Sequence, residues 1–196
     1  MSTEWYSLVS PETEVTQGDI IFSCPVLDWA GEFDPKSEPD GQLAQMADGI
    51  QADVIVLTQA CDLMHGKVDT VILCQHHRIQ DYRREWKAAM GDKFKAKDWE
   101  SYCKKIVDGI QPNLFMLNSA NLETEKLDYR IVDFHRIYTV PLVFLNSYVK
   151  ARAVKRPSLL APYREHLSQS FARFFMRVGL PQNIQRADAL SSSLQD

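Results

Sequence analysis

The run Val54-Ile55-Val56-Leu57-Thr58 is β-branched and almost entirely apolar, a pattern typical of a strand that is buried on both faces. A second run of strand length, Val68-Asp69-Thr70-Val71-Ile72-Leu73-Cys74, follows after a turn that contains Gly66. The short connection predicts that the two strands are antiparallel neighbours. We therefore expect an antiparallel sheet in which the first run is the central strand.

Glycine, proline and hydrophobic periodicity place the other elements around this pair. Gly18-Asp19 precedes a strand that Pro25 would confine to a sheet edge or a bulge, because proline donates no ladder hydrogen bond. Two amphipathic patterns predict a helical insertion at about residues 79–110, and Pro162 begins a last helix that Gly179 ends. The expected elements are strand 20–26, a loop over 27–51 with a short helix at 42–46, helices 81–90 and 98–107, strands 114–117 and 130–134 with a stop at Val140-Pro141, and helix 162–179.

The composition is that of a globular protein. The chain has 196 residues, of which 45% are hydrophobic and 24% charged, so we expect one domain at 1–181 and a polar tail at 182–196. No stretch approaches the roughly 20 apolar residues that cross a bilayer, and no secretory signal pattern is present. These features predict a cytoplasmic protein with reduced cysteines and no membrane association.

Charge is distributed unevenly along the chain. A formal net charge of -4 disfavours a protein whose whole surface binds nucleic acid, but it leaves room for a local basic groove. Residues 150–177 carry one acidic residue, Glu165, and the following basic residues: Lys150, Arg152, Lys155, Arg156, Arg164, Arg173 and Arg177. We expect a polyanion to bind at this segment first.

The segment order resembles the MazF/PemK family of small endoribonuclease toxins. In that family a Gly-Asp-Ile/Val strand is followed by a Val-Leu-Ser/Thr strand and by a strand that ends near the active site; Gly18-Asp19-Ile20, residues 54–58 and residues 71–74 are similar. Residues 131–137 are similar to the late segment that leads into the last helix of the family. The family carries Arg-Pro just before the second strand, where this chain has Ala52-Asp53.

The resemblance implies a fold and an activity. The fold would be mixed α+β, with a small SH3-like antiparallel β-barrel, a helical insertion and a C-terminal helix. The activity would be metal-independent cleavage of single-stranded RNA, with no cofactor, in a homodimer that has a groove between its subunits. These are expectations, and the polar residues around the predicted strands indicate where such a site could lie.

Polar side chains follow the central strand directly, where loops on a rigid frame commonly carry function. Histidine exchanges protons near neutral pH, and arginine binds phosphate oxygens in a bidentate manner. Arg78 or Arg136 could replace the arginine that the family carries. The predicted catalytic residues are Thr58, Asp62, His77 and Arg136, and the predicted substrate-binding residues are Gln59, Cys61, Arg78 and Arg130.

Two other interpretations concern the cysteines of this region. Asp62 beside Cys61 would raise the pKa of the thiol and so disfavours a cysteine nucleophile. The plain alternative is a small buried cysteine beside an aspartate that caps a turn. A further hypothesis is a zinc site, because thiolate and imidazole groups are zinc ligands and four of them occur here. Those ligands would be Cys61, His65, Cys74 and His76.

The sequence leaves three functions open. The first is a toxin-like barrel that binds or cleaves RNA, which predicts a positive groove. The second is a barrel without enzymatic activity that binds a protein partner or a small ligand through its helical insertion, which predicts a neutral or apolar patch. The third is a module stabilised by zinc, which predicts stoichiometric metal.

Overall fold

A computed structural model of the chain describes residues 4–32, 34–36, 39–123 and 126–176, so the predicted tail and the predicted helix end at Gly179 lie outside the described residues. In chain order, the elements are β1 (Tyr6–Val9), β2 (Ile20–Trp29), α1 (Pro39–Met46), β3 (Ala47–Val56), α2 (Ala60–Met64), β4 (Thr70–Arg78), α3 (Ile79–Met90), a 3-10 turn (Gly91–Lys93), α4 (Ala96–Val107), β5 (Leu114–Leu117), β6 (Ala120–Asn121), β7 (Lys126–Leu127), β8 (Arg130–Pro141), α5 (Leu142–Arg152), β9 (Arg156–Leu159) and α6 (Tyr163–Phe175).

The fold is mixed α+β around a five-stranded antiparallel sheet. The strand order is β2-β3-β4-β8-β5, and β3 and β4 are antiparallel neighbours, as predicted. Pro25 lies in β2, at one end of this order, which confirms its predicted edge position. The described strands form an open order with β2 and β5 at its ends, and a single bridge from Asp19 to Ser158 connects the β1–β9 pair to the start of β2.

Both faces of the central strand are covered. Val54, Ile55 and Val56 have no exposed surface, which confirms the prediction of a strand buried on both sides. Because successive side chains of a strand point to opposite faces, Val54 and Val56 pack with α5 and Ile55 packs with α6. The sheet therefore separates two apolar cores.

The helical insertion is confirmed as α3 and α4. Trp99 and Ile106 of α4 pack on Leu114 and Ile131, so the insertion covers the β5–β8 end of the sheet. Trp86 of α3 stacks on Tyr102 with ring centroids 5.5 Å apart, and its ring lies in the same cluster. None of the described helices is long and apolar enough to cross a membrane.

The predicted loop over residues 27–51 is wrong at both of its ends. β2 continues to Trp29 and β3 begins at Ala47, and these two residues pair across an antiparallel ribbon. The ribbon is largely exposed, with Leu27 59% and Trp29 61% accessible, so its sequence lacks the apolar alternation of a half-buried strand. In this ribbon the strands continue through backbone pairing and bury little apolar surface.

The sequence interpretation also missed β1, β9 and α5. β9 has the sequence Arg-Pro-Ser-Leu, which is atypical of a strand, yet all four residues are buried. Arg156 is buried because its Nε donates to Asp19 Oδ2 at 2.7 Å and its other nitrogens donate to backbone oxygens of residues 10, 13 and 14. One arginine thus fastens the N-terminal segment to β9.

Candidate functional site

A row of four side chains crosses one end of the sheet on a single face. Phe22 of β2, Asp53 of β3, His76 of β4 and Arg130 of β8 each come from a different, adjacent strand. The strand registers produce this row, because β3 and β4 pair so that Asp53 lies opposite His76 and a bulge in β2 places two residues opposite Asp53. We call these four residues the polar row.

Hydrogen bonds and a ring contact hold the polar row together. Arg130 Nε donates to His76 Nδ1 at 2.6 Å, and Arg130 also donates to the Asp53 carboxylate. The Arg130 guanidinium lies over the Phe22 ring, 5.1 Å from its centroid. Burial lowers the pKa of Arg130 and the Asp53 carboxylate opposes that change. The orientation of the Arg130 guanidinium group is therefore fixed, and its positive charge is offset by Asp53.

His76 serves this arrangement as a neutral acceptor. Its side chain is 1% exposed, and its pKa lies well below the usual value because burial, then Arg130 and His77, disfavour the imidazolium. Since Nδ1 accepts from Arg130, the ring proton of the neutral form is on Nε2. Within the described residues Nε2 has no hydrogen-bond partner. His76 is thus a positioning group for Arg130.

A cleft of about 530 Å³ lies beside the polar row. Its lining is rich in cations and includes two acidic residues, Asp53 and Asp128. Four of the cations face a carboxylate: Arg130 faces Asp53, Lys126 faces Asp128 at 3.9 Å, Lys155 faces Glu123 at 3.5 Å, and Arg156 faces Asp19. The basic side chains that line the cleft are Arg78, Lys126, Arg130, Arg152, Lys155 and Arg156.

Two arginines of the cleft have no carboxylate partner in the part of the chain that the structure describes. Arg78 ends β4 directly opposite Arg130 in the ladder and is exposed. Arg152, in the last turn of α5, donates to the Phe22 carbonyl oxygen and lies 5.7 Å from the centroid of the Tyr148 ring. These two guanidinium groups are available for an anion.

The structure separates the polar segment after the central strand from this cleft. Thr58 Oγ1 accepts a hydrogen bond from the Ile72 amide at 2.7 Å, which places Thr58 beside the start of β4. His77 lies near the end of the same strand, about 16 Å further along at 3.3 Å per residue. Asp62, on α2 beyond Thr58, is ion-paired with Lys67 at 3.6 Å. The predicted catalytic residues Thr58 and Asp62 are therefore not brought together with His77.

The other residues of that segment contact one another. Cys61 is exposed, so the interpretation of a small buried cysteine is wrong. Its sulfur lies 3.6 Å from Gln59 Oε1 and 3.8 Å from Asp62 Oδ1. These contacts lie within the short helix α2 and its N-cap, and they leave Gln59 and Cys61 at the opposite end of β4 from the cleft.

His77 and Arg136 also lie away from the polar row. His77 points to the face opposite His76, with its ring 6.1 Å from that of Tyr82. Arg136 is exposed in an irregular stretch of β8, where residues 133–136 face the single residue Gln75 of β4. Of the eight predicted catalytic and substrate-binding residues, Arg78 and Arg130 line the cleft.

The four candidate zinc ligands are divided between the two ends of β4. Cys74 is buried, and its Sγ donates to the Asp133 carbonyl oxygen at 2.9 Å; burial and Asp133 raise the pKa of this thiol. His76 belongs to the polar row, whereas Cys61 and His65 lie at α2. Among the described residues, no group of three or more histidine, cysteine, aspartate or glutamate side chains is placed to hold a metal ion.

Sequence reasoning missed the roles of Phe22 and Asp53, because a cross-strand row needs the register of four strands. Arg152 belongs to the basic segment predicted to bind a polyanion, and this segment does contribute Arg152, Lys155 and Arg156 to the cleft. In the sequence, Asp53 stands out only as a departure from the toxin pattern. Compared with known proteins, the chain matches no protein-family model and no curated protein.

Proposed function

We propose that this protein binds single-stranded RNA by holding its phosphate groups in the basic cleft. The observation that carries the proposal is the excess of cations there, with Arg78 and Arg152 free of carboxylate partners among the described residues, in a chain of net charge -4. Phosphate contacts by arginine and lysine supply most of the affinity of sequence-independent nucleic-acid binding. A volume of about 530 Å³ suits a nucleotide-sized portion of one strand.

The arginines of the cleft have different roles in the proposed binding. Arg78 and Arg152 are the first contacts for a phosphate, since their guanidinium groups are not neutralised by a described carboxylate. Arg130, 3% exposed, lies deeper and uses one nitrogen for His76 and one for Asp53, which leaves further N–H groups for an anion. Asp53 and His76 act through Arg130 as positioning residues.

The lining of the cleft supports binding better than cleavage. General acid–base cleavage of a phosphodiester needs a titratable side chain within hydrogen-bond reach of the reacting oxygen. The described residues that line the cleft include no histidine or cysteine, and their carboxylates, Asp53 and Asp128, are held in ion pairs with Arg130 and Lys126. RNA cleavage, closure of the sheet into an SH3-like barrel and a dimeric groove are proposed from the toxin resemblance alone, and RNA binding in the cleft does not depend on them.

The proposal is tested with a fluorescent oligouridine whose polarisation is titrated with protein at several salt concentrations. The double variant Arg78→Glu/Arg152→Glu should lose binding, and each phosphate interaction that a substitution removes should reduce the slope of log K against log salt by about 0.7. Arg83→Glu/Arg136→Glu is the matched control, because it makes the same charge change on two exposed residues outside the cleft. Equally weakened binding in both variants, or a wild-type protein without affinity, would contradict the proposal.

Cleavage is measured in the same samples. Intact RNA on a denaturing gel after prolonged incubation is the expected result if the cleft only binds. Shortened products that persist in Arg78→Glu/Arg152→Glu would show that the chemistry lies elsewhere on the molecule, and products that disappear only in Asp62→Ala would move the site to the region of Thr58 and α2.

A further inference from the structure

A second groove, of about 500 Å³, follows the outer edge of β5. Leu114, Phe115 and Met116 all line it. Because consecutive side chains of a strand point to opposite faces, a groove lined by three in a row must reach the edge of the strand itself. One wall is the end of α4, and the other is the face of α6 that carries Tyr163, His166, Ser170 and Arg173. We call this the β5 groove.

The edge of β5 offers backbone groups for pairing. Phe134 donates to the Asn113 carbonyl at 2.9 Å, so the alternation of an antiparallel ladder turns residues 113, 115 and 117 toward β8 and residues 114 and 116 toward the groove. The Leu114 amide already donates to the Gln111 carbonyl oxygen at 3.2 Å. No described strand pairs with this edge. The Leu114 carbonyl and both backbone groups of Met116 therefore face the groove.

The two walls differ in chemistry. Leu114 and Met116 point to the α4 side, where Ile106 and Val107 lie, while Phe115 points to α6 with its ring 5.4 Å from His166. The α6 wall carries the cation Arg173, which is exposed and has no ion-pair partner among the described residues. The α4 wall ends in Asp108. If an added strand paired with β5, its successive side chains would alternately contact the apolar α4 wall and the cationic α6 wall.

We propose that the β5 groove binds an extended peptide of a partner protein by strand addition, with apolar and acidic side chains in alternation. The peptide pairs with the backbone of Met116, its apolar side chains contact Ile106 and Val107, and its acidic side chains face Arg173 and His166. Main-chain hydrogen bonds supply affinity in this mode, and the alternating side chains supply specificity. The proposal is independent of RNA binding, because the β5 groove and the basic cleft share no lining residue.

The probe is an acetylated and amidated peptide of alternating valine and glutamate, about seven residues long, with the valine–lysine peptide as its counterpart. Titration of the full chain, followed by fluorescence of a labelled peptide, should show saturable binding that favours the acidic peptide. Met116→Pro removes the outward amide at an edge position where proline is tolerated and should abolish binding, whereas Met116→Leu should not. Arg173→Glu should weaken the acidic peptide about tenfold and reverse the preference.

Hydrogen exchange distinguishes a partner's peptide from any other segment that could cover the edge of β5. The Met116 amide of the full chain should exchange rapidly without peptide and slowly with it. A Met116 amide already protected in the full chain would show that another segment covers the edge and would overturn the proposal. Equal affinity for the acidic and the lysine peptide would also overturn the proposal. Unchanged peptide binding by Met116→Pro, or displacement of the peptide by oligouridine, would overturn it as well. A urea denaturation curve that matches that of the unchanged protein verifies that Met116→Pro is folded.

Discussion

Arg130 Nε donates its proton to His76 Nδ1 at 2.6 Å and thereby joins β8 to β4 at the point where the sheet passes from its apolar core to the basic cleft. Both side chains are almost wholly buried. A buried arginine tolerates such a position only when its N–H groups and its charge are satisfied, here by His76 and Asp53. This relationship makes the stability of the sheet and the geometry of the cleft depend on the same atoms.

Replacing His76 should destabilise the protein more than replacing any exposed histidine. His76→Ala leaves a cavity and an unpaired buried Arg130 donor, with an expected decrease of about 2–4 kcal/mol in the free energy of unfolding. Urea denaturation followed by circular dichroism measures this decrease. His65→Ala, at an exposed position, is the control and should change the free energy by less than about 0.5 kcal/mol. Similar decreases in both variants would show that the hydrogen bond contributes little.

The stability should fall on acidification through the titration of His76. Its pKa is lowered in the folded state, so below about pH 6.5 the unfolded chain binds the proton and the folded chain does not. Stability is therefore present above the unfolded pKa and is lost as pH falls, with a slope of up to about 1.4 kcal/mol per pH unit. Urea midpoints between about pH 7.5 and 5 measure it. His76→Gln should flatten this dependence, and an unchanged slope would assign it to other groups.

Removing the carboxylate of the polar row should affect binding and stability in opposite directions. Asp53→Asn leaves Arg130 less neutralised, which should cost about 1–3 kcal/mol of stability, since the Asp53 side chain is one-third exposed. The asparagine oxygen can still accept from Arg130 and hold it in place, while the positive charge of the cleft rises, so the affinity for oligouridine should increase. Asp62→Asn, which breaks the ion pair with Lys67 at the opposite end of β4, should change neither by much. Weaker RNA binding by Asp53→Asn would contradict this account.

Arg156 should not be replaceable by lysine. Its guanidinium satisfies Asp19 and three backbone oxygens at once, whereas an ammonium has three donors on one nitrogen and cannot reproduce that fork. We expect Arg156→Lys to lose about 2–4 kcal/mol of stability. Arg164→Lys, in an exposed pair with Glu165, is the matched control and should lose about 0–1 kcal/mol. Comparable urea midpoints for the two variants would refute the prediction.

The parts of the fold that follow from local pattern were predictable. The buried residues 54–57, the amphipathic repeats of α3 and α4 and the edge proline at Pro25 can each be recognised from a few residues, although β3 ends at Val56 and not at Thr58 as predicted. β9 was missed because its Arg-Pro-Ser-Leu sequence is stabilised by distant partners such as Asp19. The exposed ribbon at Trp29 and Ala47 was missed because it buries little apolar surface.

Only the charged residues of the candidate site could be predicted from the sequence, and their arrangement could not. Arg78, Arg130 and the basic segment around Arg152 are identified by residue type, which needs no register. The grouping of Thr58 with His77 rested on both residues following strands, but β4 places them at its two ends. Asp53 and His76 become neighbours only through the pairing of β3 with β4, and no local pattern encodes that pairing.

The polar row also bears on how the sheet assembles. A strand that pairs one residue out of place turns its whole side-chain set over. If β4 slipped by one residue, His77 would replace His76 beside Arg130, but the buried residues Leu73 and Cys74 would also exchange faces. The hydrogen bonds that Arg130 makes to His76 and Asp53 are therefore specific to one register of β3, β4 and β8. The residues that shape the basic cleft thus also specify how the strands of the sheet align.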